Sequence, residues 1–132
     1  MVNESRENYI RAIYVISQRK GSVRGKDLAQ YLSVSKNTVS AMLSRIRGEG
    51  YLSYKNYGAL ALTPKGKQLA KKLTQKHRLI ELFLTNVLMR DPRKVHPEAC
   101  LLEHDFSPQS MSAMKKLLGN PKADPHGSPI NQ

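Results

Sequence analysis

The chain has 132 residues and a formal net charge of +12, from 22 Lys and Arg against 10 Asp and Glu. This length suits one compact domain, or a small domain with an appended lobe, and excludes an α/β barrel of about 250 residues. The excess of positive charge favours a polyanionic partner, with nucleic acid or an anionic membrane surface first in line.

The single cysteine excludes an internal disulfide framework and is typical of a reducing compartment. The N-terminus is charged and has no apolar signal core. No apolar run approaches the roughly 20 residues of a membrane-spanning helix. We therefore expect a cytoplasmic protein that does not enter a membrane.

The first half of the chain predicts three helices followed by a hairpin. Apolar residues recur at helical spacing before Gly21, and Ser35 is a good N-cap for a third helix that ends at Gly48 or Gly50. Two short segments then alternate apolar with polar or small residues around the turn at residues 56–58. In chain order, the predicted elements are helices over residues 4–19 and 25–32, a third helix that follows the Ser35 cap, and strands over residues 51–55 and 59–63.

This order of elements is typical of a winged helix-turn-helix, whose third helix enters the DNA major groove. Asn37 is the best candidate for a base contact, because a side-chain amide pairs bidentately with adenine. Lys36 and Arg45 are expected to bind phosphates, although a polar helix face can also be merely solvated. The expected DNA-contacting residues are Ser35, Lys36, Asn37, Thr38, Ser40 and Arg45 on the third helix and Lys55, Asn56 and Tyr57 at the wing tip.

The second half predicts further helices and a tail. Thr63 and Pro64 suit the N-cap and first position of a long helix that reaches about Met89. Shorter helices follow over residues 97–104 and 107–119, and the tail from about residue 119 indicates irregular structure or the start of a linker. The chain is thus predicted to be mainly α with a small β-hairpin. A winged helix-turn-helix domain (1–64) precedes a helical domain (65–132).

Six side chains within 28 residues of the second half carry metal-ligand chemistry. They are His77, Glu81, His96, Cys100, Glu103 and His104. The first two are four residues apart and share a helix face, and the last three are related by three and four residues. The third precedes the short helix on the same side as the cysteine. Imidazole, carboxylate and thiolate together suit Fe(II), Mn(II), Co(II), Ni(II) or Zn(II).

Each of these residues also has a simple structural explanation. A histidine can be packed in a core, Glu81 can pair with Lys76 or Arg78, and Cys100 can be a small buried hydrophobe. His126, in the tail, has no partner at a useful spacing and is left out of the predicted site. No nucleophile motif, phosphate-binding glycine loop or dinucleotide fingerprint is present, so we do not expect an enzyme.

These residues give the chain a resemblance to a known family. It resembles the diphtheria toxin repressor and manganese transport regulator family of metal-dependent transcriptional repressors. The matching segments span nearly the whole chain, and the order His, Glu, His, Cys, Glu, His is specific. They are residues 7–10, 62–66, 77–81, 95–100, 102–104 and 125–130.

The resemblance implies a homodimer in which a winged-helix domain precedes a helical domain for dimerisation and metal binding. It implies an ancillary metal site at His77, Glu81 and His96 and a primary, activating site at Cys100, Glu103 and His104. Asn8 stands where the family has a Met or Asp ligand, so it is included as a weak ligand through its amide oxygen. Cys100 is typical of iron-type members, and Arg11 replaces a Glu ligand of manganese-type members. The chain ends where longer members continue into an SH3-like third domain.

We therefore predict a metal-activated repressor of metal-uptake or metal-homeostasis genes, with Fe(II) favoured and Mn(II) next. A homodimer would bind two half-sites of a palindromic operator in double-stranded DNA. Bound metal would bias the orientation or order of the two DNA-reading domains through Asn8. No small organic ligand is expected. The alternative is a metal-independent or thiol-sensing winged-helix regulator with Cys100 as its switch.

Overall fold

The computed structural model describes residues 4–55 and 58–130. It is mainly α-helical with one two-stranded antiparallel hairpin, which confirms the predicted fold class. The elements are, in chain order, α1 (Glu4–Lys20), α2 (Gly25–Leu32), α3 (Lys36–Gly48), β1 (Leu52–Tyr54), β2 (Leu60–Leu62), α4 (Pro64–Leu82), a π-helical turn (Phe83–Val87), α5 (His96–Leu102) and α6 (Pro108–Leu117). The chain divides into two compact units, Met1–Lys71 and Lys72–Gln132. The domain boundary predicted at residue 64 stays a prediction.

The first unit is built around one apolar core. Each of its three helices contributes the apolar stripe that its sequence predicts. The large side chains buried most deeply on these helices are Ile10, Ile13, Leu28, Val39 and Ile46. The hairpin adds further apolar side chains to this core, in a register that pairs Leu52 with Leu62 and Tyr54 with Leu60.

The turn between α2 and α3 sets the direction of the third helix. Ser33 has a left-handed backbone, with φ 57° and ψ 48°, and its N–H donates to the carbonyl of Ala29. This conformation costs a residue other than glycine about 1–2 kcal/mol. The N–H of Val34 donates to the same carbonyl at 3.1 Å, and Ser35 Oγ accepts from the N–H of Thr38 at 3.1 Å. These bonds help to offset the cost and begin α3 where its cap residue predicts.

Hydrogen bonds and a close backbone contact hold the start of α4 against the turn that follows α3. Thr63 Oγ1 donates to the carbonyl of Gly50 at 2.6 Å and accepts from the N–H of Gly66 at 3.1 Å. A Cβ on Gly66 would lie far inside the 3.0 Å that real Cβ contacts respect, against the carbonyl oxygen of Tyr51. Only glycine therefore lets the two backbone segments approach this closely.

The second unit has its own core, and the tail is part of it. Ile80, Leu84, Val95 and Ile130 are each at most 1% exposed. Residues 119–130 form no helix or strand, but a bridge between Ala123 and Pro129 closes them into a loop. The sequence also allowed the start of a linker here. The burial of Ile130 shows a packed segment instead.

The end of α4 differs from its prediction. The α-helix stops at Leu82, a π-helical turn follows, and Met89 has a left-handed backbone with φ 58°. Apolar periodicity predicted a helix to about Met89, because it carries no information on a change from i+4 to i+5 hydrogen bonds. No helix in the described parts of the chain is both long and apolar enough to cross a membrane.

We expect Gly66→Ala to destabilise the protein by about 2 kcal/mol, because overpacking costs roughly 1–3 kcal/mol and the obstructing atom belongs to the backbone. Urea denaturation followed by circular dichroism measures the change. Gly48→Ala is the matched control, since an added Cβ there meets no atom within 4 Å. Its stability should stay equal or rise by up to about 1 kcal/mol. Equal losses in both variants would contradict the proposed backbone contact.

Candidate metal centre

α4 carries two ionisable side chains on its buried face. His77 and Glu81 are one helical turn apart, and only 5% and 2% of their surfaces are exposed. The apolar neighbours Leu73, Ile80 and Leu84 bury the same stretch of the helix. Because a buried polar group without a partner costs several kcal/mol, roughly 2–7 by transfer measurements, these two side chains need specific contacts.

His77 makes those contacts with both predicted clusters. Its Nε2 lies 2.9 Å from Glu81 Oε1 and 3.0 Å from His96 Nδ1. Its Nδ1 lies 2.8 Å from Glu103 Oε2 and 3.9 Å from Cys100 Sγ. The distances therefore do not follow the division into an ancillary and a primary site, because one imidazole touches members of each.

Three of the predicted ligands form a group of metal-binding size. One ligand atom each from His77, His96 and Cys100 lies within 4.8 Å of the others. Cys100 Sγ is 3.5 Å from His96 Nε2, and the two imidazole rings meet edge to face with centroids 4.6 Å apart. α5 provides two of these residues one turn apart, at its first position and in its second turn.

Glu103 and His104 follow α5 directly and extend the same cluster. The Glu103 side chain is completely buried, and its two oxygens face different imidazoles. Oε2 is 2.8 Å from His77 Nδ1, and Oε1 is 3.5 Å from His104 Nε2. Of the six predicted metal-site residues in the second unit, four thus contact His77 directly, and His104 contacts it through Glu103.

The structure adds two residues that the sequence prediction left out. One ligand atom each from Glu81, Asp124 and His126 lies within 4.8 Å of the others. His126 Nε2 is 2.7 Å from the carbonyl of Pro92, which can only accept, so in the neutral ring Nδ1 keeps its lone pair. That nitrogen is 3.4 Å from Glu81 Oε2. With a neutral His126 ring, two electron-pair donors therefore face each other, whereas a protonated ring would pair with Glu81 directly.

The sequence prediction left His126 out because it has no partner at a useful spacing, whereas the structure places it beside Glu81. Glu81 and His126 are 45 positions apart, so no helical spacing relates them. Asp124 Oδ1 accepts from the N–H groups of His126 and Ser128 at 2.9 and 2.8 Å, which folds the tail into a tight turn. The available signal was this Asp-Pro-His-Gly sequence, since aspartate commonly accepts from the backbone two residues on.

The charge of Glu81 follows from its neighbours. Burial by itself would raise the pKa of this carboxyl group. The hydrogen bond from His77, and the nearby charges of His77, His126 and His96, outweigh burial and lower the pKa of Glu81 below its usual 4.5. The carboxylate is therefore ionised at neutral pH, and its Oε2 has no hydrogen-bond partner among the described residues.

These residues fit a divalent transition metal. The donor set combines imidazole nitrogen, thiolate sulfur and carboxylate oxygen, as such ions prefer. The buried Oε2 of Glu81 has no hydrogen-bond partner among the described residues and faces only His126 Nδ1, at 3.4 Å, so it is an oxygen that a bound cation would satisfy. Asn8 lies half-buried on α1 in the first unit, and its role as a ligand stays a prediction.

The predicted DNA-contacting residues on α3 are all exposed, as is Lys55 after β1. Asn56 and Tyr57 lie outside the described residues. Ser35 and Thr38 are engaged in capping, with their hydroxyl oxygens 2.8 Å apart. The structure adds Lys26, which together with Lys36 and Ser40 lines an open cavity of about 290 Å³. Contact of each of these residues with DNA stays a prediction.

Two family models match the chain and together cover nearly all of it. The model described as "Iron dependent repressor, N-terminal DNA binding domain" matches residues 1–60. The model described as "Iron dependent repressor, metal binding and dimerisation domain" matches residues 63–132. The candidate metal centre lies wholly within the second match.

Individual relatives agree with these models. The chain is 36% identical to the HTH-type transcriptional regulator MntR of Lysinibacillus sphaericus (strain C3-41) over 118 residues, 89% of this chain and 84% of the relative. The solved manganese regulator SloR superposes with a TM-score of 0.87 at 38% identity, over 96% of this chain and 59% of that one. A manganese-dependent transcriptional repressor in complex with manganese gives a TM-score of 0.88 at 34% identity, over 95% and 57%. The chain thus spans under two thirds of the length of these solved chains.

The matches confirm the predicted resemblance, and the alternative of a thiol-sensing regulator gains no support from them. The family consists of DNA-binding regulators whose second domain binds divalent metal, so the chain is not an enzyme. Since both family models match, and together cover the described fold and the metal centre, the chain belongs to the diphtheria toxin repressor and manganese transport regulator family of metal-dependent transcriptional repressors.

Proposed function

We propose that this protein represses genes of metal uptake or metal homeostasis by binding a palindromic operator as a homodimer when divalent metal is bound. The observation that carries this proposal is the group of His77, His96 and Cys100, with ligand atoms within 4.8 Å of one another. The two family domains supply its setting, one for DNA and one for metal and dimerisation. The protein acts in the cytoplasm, which contains its DNA target and keeps the thiol of Cys100 reduced.

The donor set favours Fe(II), with Mn(II) next. Cys100 offers a thiolate, and softer sulfur ligands favour iron over manganese. Glu81 and Glu103 offer carboxylate oxygens, which suit Mn(II) as well. The names of two solved relatives refer to manganese, which supports Mn(II) as the competing ion.

Bound metal would add positive charge beside the buried carboxylates of Glu81 and Glu103. His77, His96, Cys100 and Glu103 are the residues best placed to hold it, and Glu81, Asp124 and His126 form a second cation position with harder, oxygen-rich ligands. The second position would also fasten the tail to α4. Metal regulates DNA binding only if it has higher affinity for the DNA-competent state, by a factor that is typically about 5 to 150.

We expect Fe(II) or Mn(II) to raise the affinity for operator DNA at least about tenfold. The operator is a duplex selected from a random-sequence pool by the metal-loaded protein. Mobility-shift titrations under anaerobic conditions compare protein with and without each metal, and calorimetry measures metal binding directly. Metal that binds without changing operator affinity would contradict the switch.

Two variants sharpen this experiment. Cys100→Ser should weaken Fe(II) binding more than Mn(II) binding, because oxygen replaces sulfur as the donor. Glu98→Gln is the control, since it removes a carboxylate from the same helix that pairs with Arg90 instead of the cluster. Equal effects of both variants on Fe(II) would argue against Cys100 as a ligand.

The homodimer is proposed to form through exposed apolar side chains of the second unit. They are Val87, Leu88, Met89, Leu101 and Leu117, between 44% and 81% exposed. Exposed apolar side chains that form a contiguous patch are typical of a protein interface. The family model that covers these residues is a dimerisation domain.

We expect Leu101→Glu to weaken the dimer at least about tenfold, because a two-fold interface buries each substituted residue twice. Analytical ultracentrifugation over a range of protein concentrations measures the dissociation. Tyr31→Ser is the control, since Tyr31 is an exposed apolar residue of the first unit. A dimer unaffected by Leu101→Glu would place the interface elsewhere.

A further inference from the structure

We propose that Arg47 binds a DNA phosphate and that Tyr54, on strand β1, is the positioning residue that holds its guanidinium ready. Neither residue was among the predicted DNA contacts. The inference rests on the proposed function, because it concerns the complex with DNA.

The two side chains form a stacked pair on the surface of the first unit. The guanidinium carbon of Arg47 lies 4.9 Å from the centroid of the Tyr54 ring. A guanidinium is attracted to the face of an aromatic ring at this distance and keeps all its N–H donors available. Tyr54 is the last residue of β1 and is 42% exposed, so both partners remain open to a ligand.

The position of Arg47 on α3 places it with the predicted DNA-facing residues. Ser40, Ser44 and Arg47 are spaced i, i+4 and i+7, so they lie on one strip of the helix, and Lys36 begins the same strip one turn earlier. All four are exposed. The strip therefore has a cation at each end and two short hydroxyl side chains between these cations.

The length of this strip matches the target. Lys36 and Arg47 are 11 residues apart, which is about 16 Å along a helix axis. The major groove of B-DNA is about 12 Å wide, with a phosphate backbone on each side. A helix lying across this groove would thus bring Lys36 near one backbone and Arg47 near the other.

Arg47 is not committed to another partner in the fold. No ion pair joins it to an acid in the described part of the chain. Lys65 offers the contrast within the same unit. It also lies over a ring, 4.4 Å from the centroid of Tyr51, but its Nζ donates to the carbonyl of Glu49 at 3.0 Å and so secures the start of α4. Stacking frees Arg47 for a ligand, whereas Lys65 is used by the fold.

Preordering explains why an aromatic partner matters for binding. A long, flexible side chain loses rotamer freedom when it binds a phosphate, and that loss weakens binding. An arginine already held against Tyr54 has lost much of this freedom before DNA arrives. Tyr54 thus acts through Arg47 and needs no contact with DNA of its own.

The test measures the affinity of the full chain, loaded with Mn(II), for the operator duplex selected above, by fluorescence anisotropy from about 50 to 300 mM KCl. Each phosphate contact adds about 0.9 to the slope of log K against log[salt]. Arg47→Ala should lower this slope by about 0.9 per protomer and weaken binding about tenfold per protomer at 0.1 M salt. Lys65→Met, which removes the same charge, should keep the slope of the wild type.

Variants of Tyr54 separate positioning from packing. Tyr54→Leu should weaken binding about threefold, and Tyr54→Phe should restore it, because the ring alone holds the guanidinium. In the Arg47→Ala background, Tyr54→Leu should have no further effect on affinity. Thermal unfolding of each variant shows that the fold is retained.

Three results would overturn the proposal. They are an unchanged salt slope in Arg47→Ala, an equal slope loss in Lys65→Met, and a loss from Tyr54→Leu that persists without Arg47. A wild-type chain that selects no duplex from the pool would instead contradict the proposed function, and this inference with it.

Discussion

The imidazole of His77 lies between the carboxylates of Glu81 and Glu103, in a part of the protein that water scarcely reaches. Buried carboxylates are costly unless a positive charge or several donors compensate them. One imidazole can serve both only because its two nitrogens point in opposite directions. The arrangement therefore gathers carboxylate oxygens, imidazole nitrogens and a cysteine sulfur around one largely buried position, and such a donor set suits a divalent transition metal.

The chain distributes its charges differently at the metal centre and on α3. Its acids at the metal centre are buried in the second unit, whereas the cations of α3 are exposed in the first. A formal charge of +12 would destabilise a compact fold by self-repulsion, but exposed cations facing a polyanion turn that charge into affinity and fast association. The turn at Ser33 and the close backbone contact at Gly66 fix the directions of α3 and of the start of α4. The exposed strip of α3 is therefore a preformed surface.

Much of this fold could be predicted from local patterns. The cap Ser35 and the pair Thr63-Pro64 mark helix starts that the structure confirms. The i, i+4 spacing of His77 and Glu81 also placed them correctly on one buried face. Local patterns failed where contacts join distant segments. The π-helical turn at residues 83–87, the burial of Ile130 and the approach of His126 to Glu81 have no periodic signal.

The sequence by itself determined the order of the elements and the family, and it predicted six of the candidate metal-site residues, because capping, periodicity and residue chemistry act over a few neighbouring positions. Only the tertiary structure decided which ligands meet. It placed His77 against members of both predicted sites and brought the tail's Asp124 and His126 to Glu81. It also stacked Arg47 on Tyr54. Such contacts depend on how helices and loops pack in three dimensions, and packing is set by the whole core instead of any short segment.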